Sequence, residues 1–220
     1  MSKRKNTKAK QLTNRDINIL TDLTRCRAVS FDQIKNNYWP AAKERTCKER
    51  LQLLEKSGYL TEHTISTEKP GIYMQVYSLN TKGKRWATSS EGLGMNKDIV
   101  FIHPGKENEI IHQIRTNQIY FELSKDEKRT WIIGDAIEVG HKSSRSSNSF
   151  NSEIPDACFT NNTGESIFVE TDCGKYTGKQ IREKVSSFAG QKTIWVCPVG
   201  REQTLINHGV DGEFNLYNIS

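Results

Sequence analysis

No stretch of the chain approaches the roughly 18 consecutive apolar residues that a membrane-spanning helix needs. No apolar core follows the charges at the N-terminus, so a secretory leader is not expected there. Cysteine is sparse and scattered: Cys26, Cys47, Cys158, Cys173 and Cys197 are odd in number and lack CxxC spacing, which argues against a disulfide framework and a zinc site. They read as reduced thiols of a cytoplasmic protein without membrane insertion, three of them in apolar or strand-like surroundings that suit a small buried hydrophobe. Negative charge is short in one region only. The first 60 residues hold 14 Lys/Arg against 6 Asp/Glu and the remaining 160 hold 18 against 20, so the formal net charge of +6 is almost wholly N-terminal. A basic first third on a near-neutral remainder points to a polyanion, most economically nucleic acid and less readily a membrane surface, because clustered cations gain affinity by releasing counterions from phosphates.

At 220 residues the chain can build two small domains with cores of their own. Residues 1–12 carry five basic and no acidic side chains and nothing that could form a core, so they read as a flexible basic arm. From Thr13 the pattern is helical: Thr13 and Asp16 match a capping arrangement, with Ile17, Leu20 and Leu23 at helical spacing. Ser30 caps a second short helix, and Pro40 opens a third whose inner face is Ala42, Cys47, Leu51 and Leu54 and which stops at Gly58. Two strands follow, near Tyr59–Thr61 and over Ile72–Leu79. Three helices and then a hairpin is the winged helix-turn-helix order, predicted for residues 13–80. Lys43, Arg45, Lys48 and Arg50 lie on or beside the polar side of the third helix and are the candidates for contact with double-stranded DNA. A helix-turn-helix also serves protein contacts, so dimerisation or docking stays open for this domain.

Residues 81–104, with Gly83, the Ser89–Gly94 stretch and Pro104, have the composition of a linker. The second domain is expected over 105–220: a helix from Glu107 to Leu123, the strand Trp131–Gly134, a Ser-rich loop over 141–152, an acidic hairpin, a helix from about Tyr176 to Phe188, the strand Thr193–Cys197, a short helix near Thr204–His208 and a last strand near Phe214–Tyr217. That order makes an α/β sandwich.

The acidic hairpin carries the most chemistry. Ile154-Pro155-Asp156 and the run Ile167–Asp172 flank the turn Asn161-Asn162-Thr163-Gly164, so the strands fold back and Asp156 comes opposite Glu170, while the period of two puts Glu170 and Asp172 on one face. Consecutive apolar Ile167, Phe168 and Val169 mark a central strand covered on both faces. Three partly desolvated carboxylates at its end could hold Mg2+ or Mn2+, which favour carboxylate and water ligands and leave positions for phosphate oxygens. In the next helix Lys184 shares a stripe with Ile181, Val185 and Phe188 and can reach the carboxylates, where it would orient a hydroxide or stabilise a pentavalent phosphate; Lys179 is the competing lysine.

Pro155-Asp156, a turn, Glu170-x-Asp172 and a following helix with Lys184 resemble the restriction-endonuclease-like PD-(D/E)xK nucleases. Asp172 departs from that pattern, standing where those enzymes usually carry lysine, and the lysine would then come from the helix. Together with a winged helix, the His112–Leu123 segment and Trp131, the chain looks like the replication-relaxation family, which is similar to the MobC-type conjugative relaxases. The resemblance implies an α+β protein, a winged helix followed by a nuclease-like α/β sandwich. It also implies a metal-dependent nickase at a transfer or replication origin, with Asp156, Glu170, Asp172 and Lys184 in the site. The partners implied are DNA and a type IV secretion coupling protein or other relaxosome component, with a homodimer open. Water attack is expected unless Tyr176, near the cluster, acts as nucleophile. His112 and Asn117 lie on different faces of one helix and are expected in supporting roles, His112 buried and hydrogen-bonded. The alternative is a non-catalytic winged-helix regulator or accessory factor of a mobile element.

Overall fold

The computed structural model describes residues 11–67, 69–143 and 153–218. Most of the expected basic arm and of the Ser-rich loop therefore lies outside the described residues. The fold is α+β, with two sheets. The chain divides into two compact units, residues 1–114 and 115–220.

In the first unit, helix α1 (Asn14–Cys26) begins at a capping box: the Thr13 hydroxyl accepts from the Asp16 amide, and the Asp16 carboxylate accepts from the Thr13 amide. Strand β1 (Ala28–Ser30) follows, then α2 (Phe31–Tyr38), capped in the same way by Ser30 and Gln33. Helix α3 (Glu44–Lys56) buries Cys47, Leu51 and Leu54 at i, i+4 and i+7. It starts at Glu44 rather than Pro40, with Lys43 at the N-cap position, and Gly58 at φ +79° turns the chain out of it. Strands β2 (Leu60–Ser66) and β3 (Tyr73–Leu79) pair antiparallel, and β1 joins the other edge of β3. The hairpin is longer than its sequence signal. Beyond Thr61 the residues of β2 are polar except for Ile65, and pairing with β3 extends the strand.

Residues 81–104, read as a linker, fold into the first unit instead. Helix α4 (Thr81–Thr88) is capped by Asn80, Val100 is buried, the Ser78 hydroxyl donates to the Ile102 carbonyl, and Arg27 Nε donates to the His103 carbonyl. Two of the glycines there are packing residues. A Cβ on Gly83 would sit 2.0 Å from the Tyr59 carbonyl oxygen, and one on Gly92 1.9 Å from that of Trp86. Helix α5 (Glu107–Glu122) contains the division between the units. Its Ile110 and Ile114 pack with Ala28, Ile65 and Val76.

The second unit is built on a five-stranded sheet, β4 (Ile132–Ile133), β5 (Ala157–Thr160), β6 (Ser166–Thr171), β7 (Lys192–Pro198) and β8 (Glu213–Tyr217), in that spatial order. The β4–β5 and β5–β6 pairs are antiparallel, while β6–β7 and β7–β8 are parallel. The parallel pairs are linked through α8 (Gly178–Ser187) and α9 (Glu202–Asn207), as parallel strands require a crossover. Two further helices, α6 (Lys125–Thr130), which begins at a Ser124–Glu127 capping box, and α7 (Gly134–Ser143), occupy segments not expected to be helical. One face of the sheet meets α5, where Thr116 hydrogen-bonds Thr171 and Tyr120, Trp131 and Phe159 form an aromatic run. The other meets α8 and α9, where Ile181 and Leu205 pack with Trp195 and Cys197. The five cysteines form no disulfide, and no helix among the described residues is long and apolar enough to cross a membrane.

One ion pair ties α3 to α1. Asp16 is fully buried, and Arg50 holds both its oxygens, through Nε at 2.9 Å and through the terminal nitrogen. Burial raises the Asp16 pKa, but the hydrogen bonds from Arg50 and Thr13 outweigh it and leave the group below its usual 3.8. A depressed carboxylate contributes stability that is present above the unfolded pKa and lost as pH falls through the folded value. Arg50→Ala is therefore expected to destabilise the protein by about 3 kcal/mol near neutrality. The gap from wild type, followed by urea unfolding, should close as the pH drops below about 4.

Candidate active site

The Asn161–Gly164 turn, with Gly164 at φ +85°, sets the β5–β6 register so that Ala157 faces Val169. One step further Asp156 faces Glu170, and the Asp156 Oδ2 accepts the Thr171 amide at 2.7 Å. Gly134, opening α7, donates its amide to the Asp156 carbonyl at 2.8 Å, and a Cβ there would lie 2.8 Å from the Pro155 carbonyl oxygen. The Pro155-Asp156 corner is thus held from two sides.

Glu170 ends the central strand, 0 % exposed. In the parallel register it pairs with Trp195, so it points to the α8 face, and Asp172 lies on that same side one period on. Its Oε1 accepts from the Tyr176 hydroxyl at 2.7 Å and from Lys184 Nζ at 2.8 Å. Its Oε2 is buried and has no hydrogen-bond partner among the described residues. Burial first, and then the neighbouring Asp156 carboxylate, push the Glu170 pKa up to about 8, against the opposing pull of Lys184 and Tyr176.

Lys184, placed on the inward stripe of α8 by its spacing, also lies 3.5 Å from Glu153. Burial lowers its pKa, but Glu170, Asp156 and Glu153 outweigh that and hold the ammonium above its usual value. Lys179 is 80 % exposed and pairs with Glu183, away from the cluster. Burial and the Glu170 carboxylate raise the Tyr176 phenol, keeping it a protonated donor.

Asp172 has a different place from the one expected. Its Oδ1 accepts the amides of Gly174, Lys175 and Tyr176, and its Oδ2 accepts Arg201 Nε at 2.8 Å. Both oxygens are committed to protein donors. The structure therefore brings Asp156, Glu170 and Lys184 together and engages Asp172 in a loop anchor. Among the described residues no group of three or more His, Cys, Asp or Glu forms a ready cation cage. The Asp156–Glu170 pair nonetheless fits a hard divalent cation, because Glu170 has an orphaned buried carboxylate oxygen, Asp156 is close enough to raise its pKa, and Mg2+ or Mn2+ takes its remaining ligands from water and phosphate. Arg201 was not legible in the sequence: it lies 29 residues from Asp172 with no spacing to connect them. The signal was indirect, since a buried carboxylate needs a cation.

The four α3 cations differ in their surroundings. Arg45 is 87 % exposed and pairs with Glu49, and Lys48 pairs with Glu44 and lies over the Phe31 ring. Lys43 is exposed beside them. Arg50, expected to face DNA, is held by Asp16. His112 is half-buried rather than buried, and Asn117 is fully buried.

An acid whose folded pKa is raised keeps its proton in the folded state, so its favourable contribution is lost as pH rises from 4.5 toward about 8. In buffer with chelator, Glu170→Gln should melt close to wild type at about pH 5 and above it at about pH 9, because the variant never carries the buried charge. A melting difference independent of pH would contradict the assignment.

No curated protein and no solved structure matches the chain. A model of the replication-relaxation family matches residues 20–190, which takes in both the helical N-terminal elements and the β5–β6 hairpin with α8. With most of its length so matched, the chain belongs to the replication-relaxation family, which points to a role in replication or in mobile elements.

Proposed function

We propose that the protein is a metal-dependent DNA nickase acting at a transfer or replication origin, with a winged helix in the first unit and a restriction-endonuclease-like catalytic second unit. The observation that carries this reading is the Glu170 carboxylate. One oxygen is bound by Lys184 and Tyr176, and the other is buried without a partner among the described residues, opposite Asp156. Such a group is costly to bury unless a cation completes it. The mixed sheet supports the same reading, since it places the acidic hairpin at its centre and a lysine-bearing crossover helix above it. The helix–strand–helix–helix–hairpin order of the first unit supports a winged helix, with Lys43, Arg45 and Lys48 as DNA-facing cations.

Asp156 and Glu170 would hold Mg2+ or Mn2+, which supplies Lewis-acid polarisation of the scissile phosphate and a bound water of lowered pKa. Lys184 offsets the Glu170 charge and places an ammonium where negative charge grows on the phosphate. Tyr176 donates its hydroxyl to Glu170, which supports water rather than tyrosine as nucleophile. The partners that fit are double-stranded DNA and, in a mobile element, a type IV secretion coupling protein or other relaxosome component.

A second reading is a non-catalytic DNA-binding accessory factor with a nuclease-like unit. It is favoured by the commitment of Asp172 to Arg201. Supercoiled plasmid with and without a transfer origin, incubated with Mn2+ or Mg2+, separates the two. The nickase reading expects open circles with wild type and a loss of at least about 100-fold in Glu170→Ala. Binding without cleavage under either metal leaves the accessory factor.

The first unit has its own test. Lys43→Ala and Arg45→Ala should each lower the slope of log affinity against log salt by about one. Arg50→Ala should change the slope only in step with lost folding, because its guanidinium is held by Asp16.

A further inference from the structure

The segment between β6 and α8 is fixed with more care than a connection needs. Asp172 gathers three successive amides, Gly174 at 2.8 Å, Lys175 at 3.1 Å and Tyr176 at 3.3 Å, around one oxygen. Gly174 at φ +79° permits that tight turn. The other Asp172 oxygen holds Arg201, whose terminal nitrogen reaches across to donate to the Tyr176 carbonyl at 2.6 Å. Tyr176 is therefore gripped at both its amide and its carbonyl by one ion pair. Its ring packs against the Ile181, Trp195 and Cys197 cluster, which leaves the hydroxyl as its polar reach. That hydroxyl meets Glu170 Oε1 at 2.7 Å.

From this arrangement we infer that Asp172, Arg201 and Tyr176 are positioning residues for Glu170. The Asp172–Arg201 pair sets Tyr176, and Tyr176 together with Lys184 fixes the plane of the Glu170 carboxylate so that Oε2 is presented toward Asp156. The inference rests on the reading of Asp156 and Glu170 as the divalent-cation pair, and it assigns Asp172 to the support of that pair rather than to the ligand set. Two donors on one oxygen, Tyr176 and Lys184, restrict a terminal torsion that is otherwise broad. Outer partners of this kind orient ligating carboxylates, and their removal typically weakens metal binding by 10–100-fold.

The test measures Mn2+ affinity by calorimetry, with melting temperature as the folding control. Tyr176→Phe, which keeps the ring and removes only the hydroxyl, should weaken Mn2+ binding about tenfold. Asp172→Asn should act in the same direction. The double variant should bind no more weakly than the weaker single one, because both losses pass through the same hydroxyl. A purely structural loop would instead lower the melting temperature of Asp172→Asn and leave Tyr176→Phe with wild-type affinity. Should Asp172→Asn fail to fold, Arg201→Gln releases the same Tyr176 carbonyl and carries the same expectation. Additive losses, or unchanged affinity in Tyr176→Phe while Glu170→Gln abolishes binding, would overturn the positioning role and leave the cation pair standing. Absence of Mn2+ binding by wild type would sink the cation pair and the positioning role with it.

Discussion

A carboxylate at the end of a central strand, with no exposure to water, is the constraint around which the second unit is arranged. Strand β6 is flanked by β5 and β7 and covered on both faces, so Glu170 cannot shed its charge into solvent. Two neighbours answer that cost in part. Lys184 brings a cation from the helix above, and Tyr176 brings a neutral donor. Asp156 works the other way: its charge adds to the desolvation cost, and together they drive Glu170 toward the protonated state. A fold selected for stability alone would have put an apolar residue at this position, where replacing a buried ion by a packed hydrophobe is often neutral or favourable. The second carboxylate and the unsatisfied oxygen are the two features on which the proposed nickase site rests.

The hairpin was legible because its signals are local. An Asn/Gly turn between apolar runs fixes the register, and the register alone puts Asp156 opposite Glu170. Lys184 was legible because 3.6-residue periodicity placed it on the inward stripe with Ile181, Val185 and Phe188. The role of Asp172 was not, because it depends on Arg201 beyond β7, and nothing short-range announces a long-range ion pair. The segment after β3 failed for another reason. Gly83 and Gly92 have the composition of a flexible joint, but each allows backbone to approach a carbonyl oxygen, and sequence does not distinguish a glycine chosen for freedom from one chosen for the lack of a Cβ. Helix α6 was missed because a short helix capped by polar residues carries little apolar period, and α7 because it follows directly on the apolar Trp131–Ile133 run, which reads as a strand.

Charge in the first unit shows a similar limit on counting. The surplus of Lys and Arg in the first 60 residues is real, yet part of it is spent within the fold. Arg50 neutralises a fully buried aspartate, and Arg45 and Lys48 face glutamates one turn away. Pairs of the latter kind are worth only about 0.3–0.5 kcal/mol and are screened by salt. They are therefore easily exchanged for phosphate contacts, whereas the Asp16–Arg50 pair is not. Net charge locates a basic region, and burial decides which of its members can meet a partner.

Under the proposed nickase reading, Asp172 stands where the resembled nuclease motif carries lysine, and α8 supplies the lysine instead. Positions 170 and 172 share a face, so a lysine at 172 would approach Glu170 along the strand. In this chain the ammonium arrives from α8 instead, at 2.8 Å from the same carboxylate. With Lys184 in place, a second lysine at 172 would add another buried positive charge beside the first. An aspartate there recruits Arg201 and three backbone amides, and so stiffens the turn that delivers Tyr176 to Glu170. The Asp172–Arg201 pair matches its own charges, and Lys184 is left to face Glu170 and Asp156.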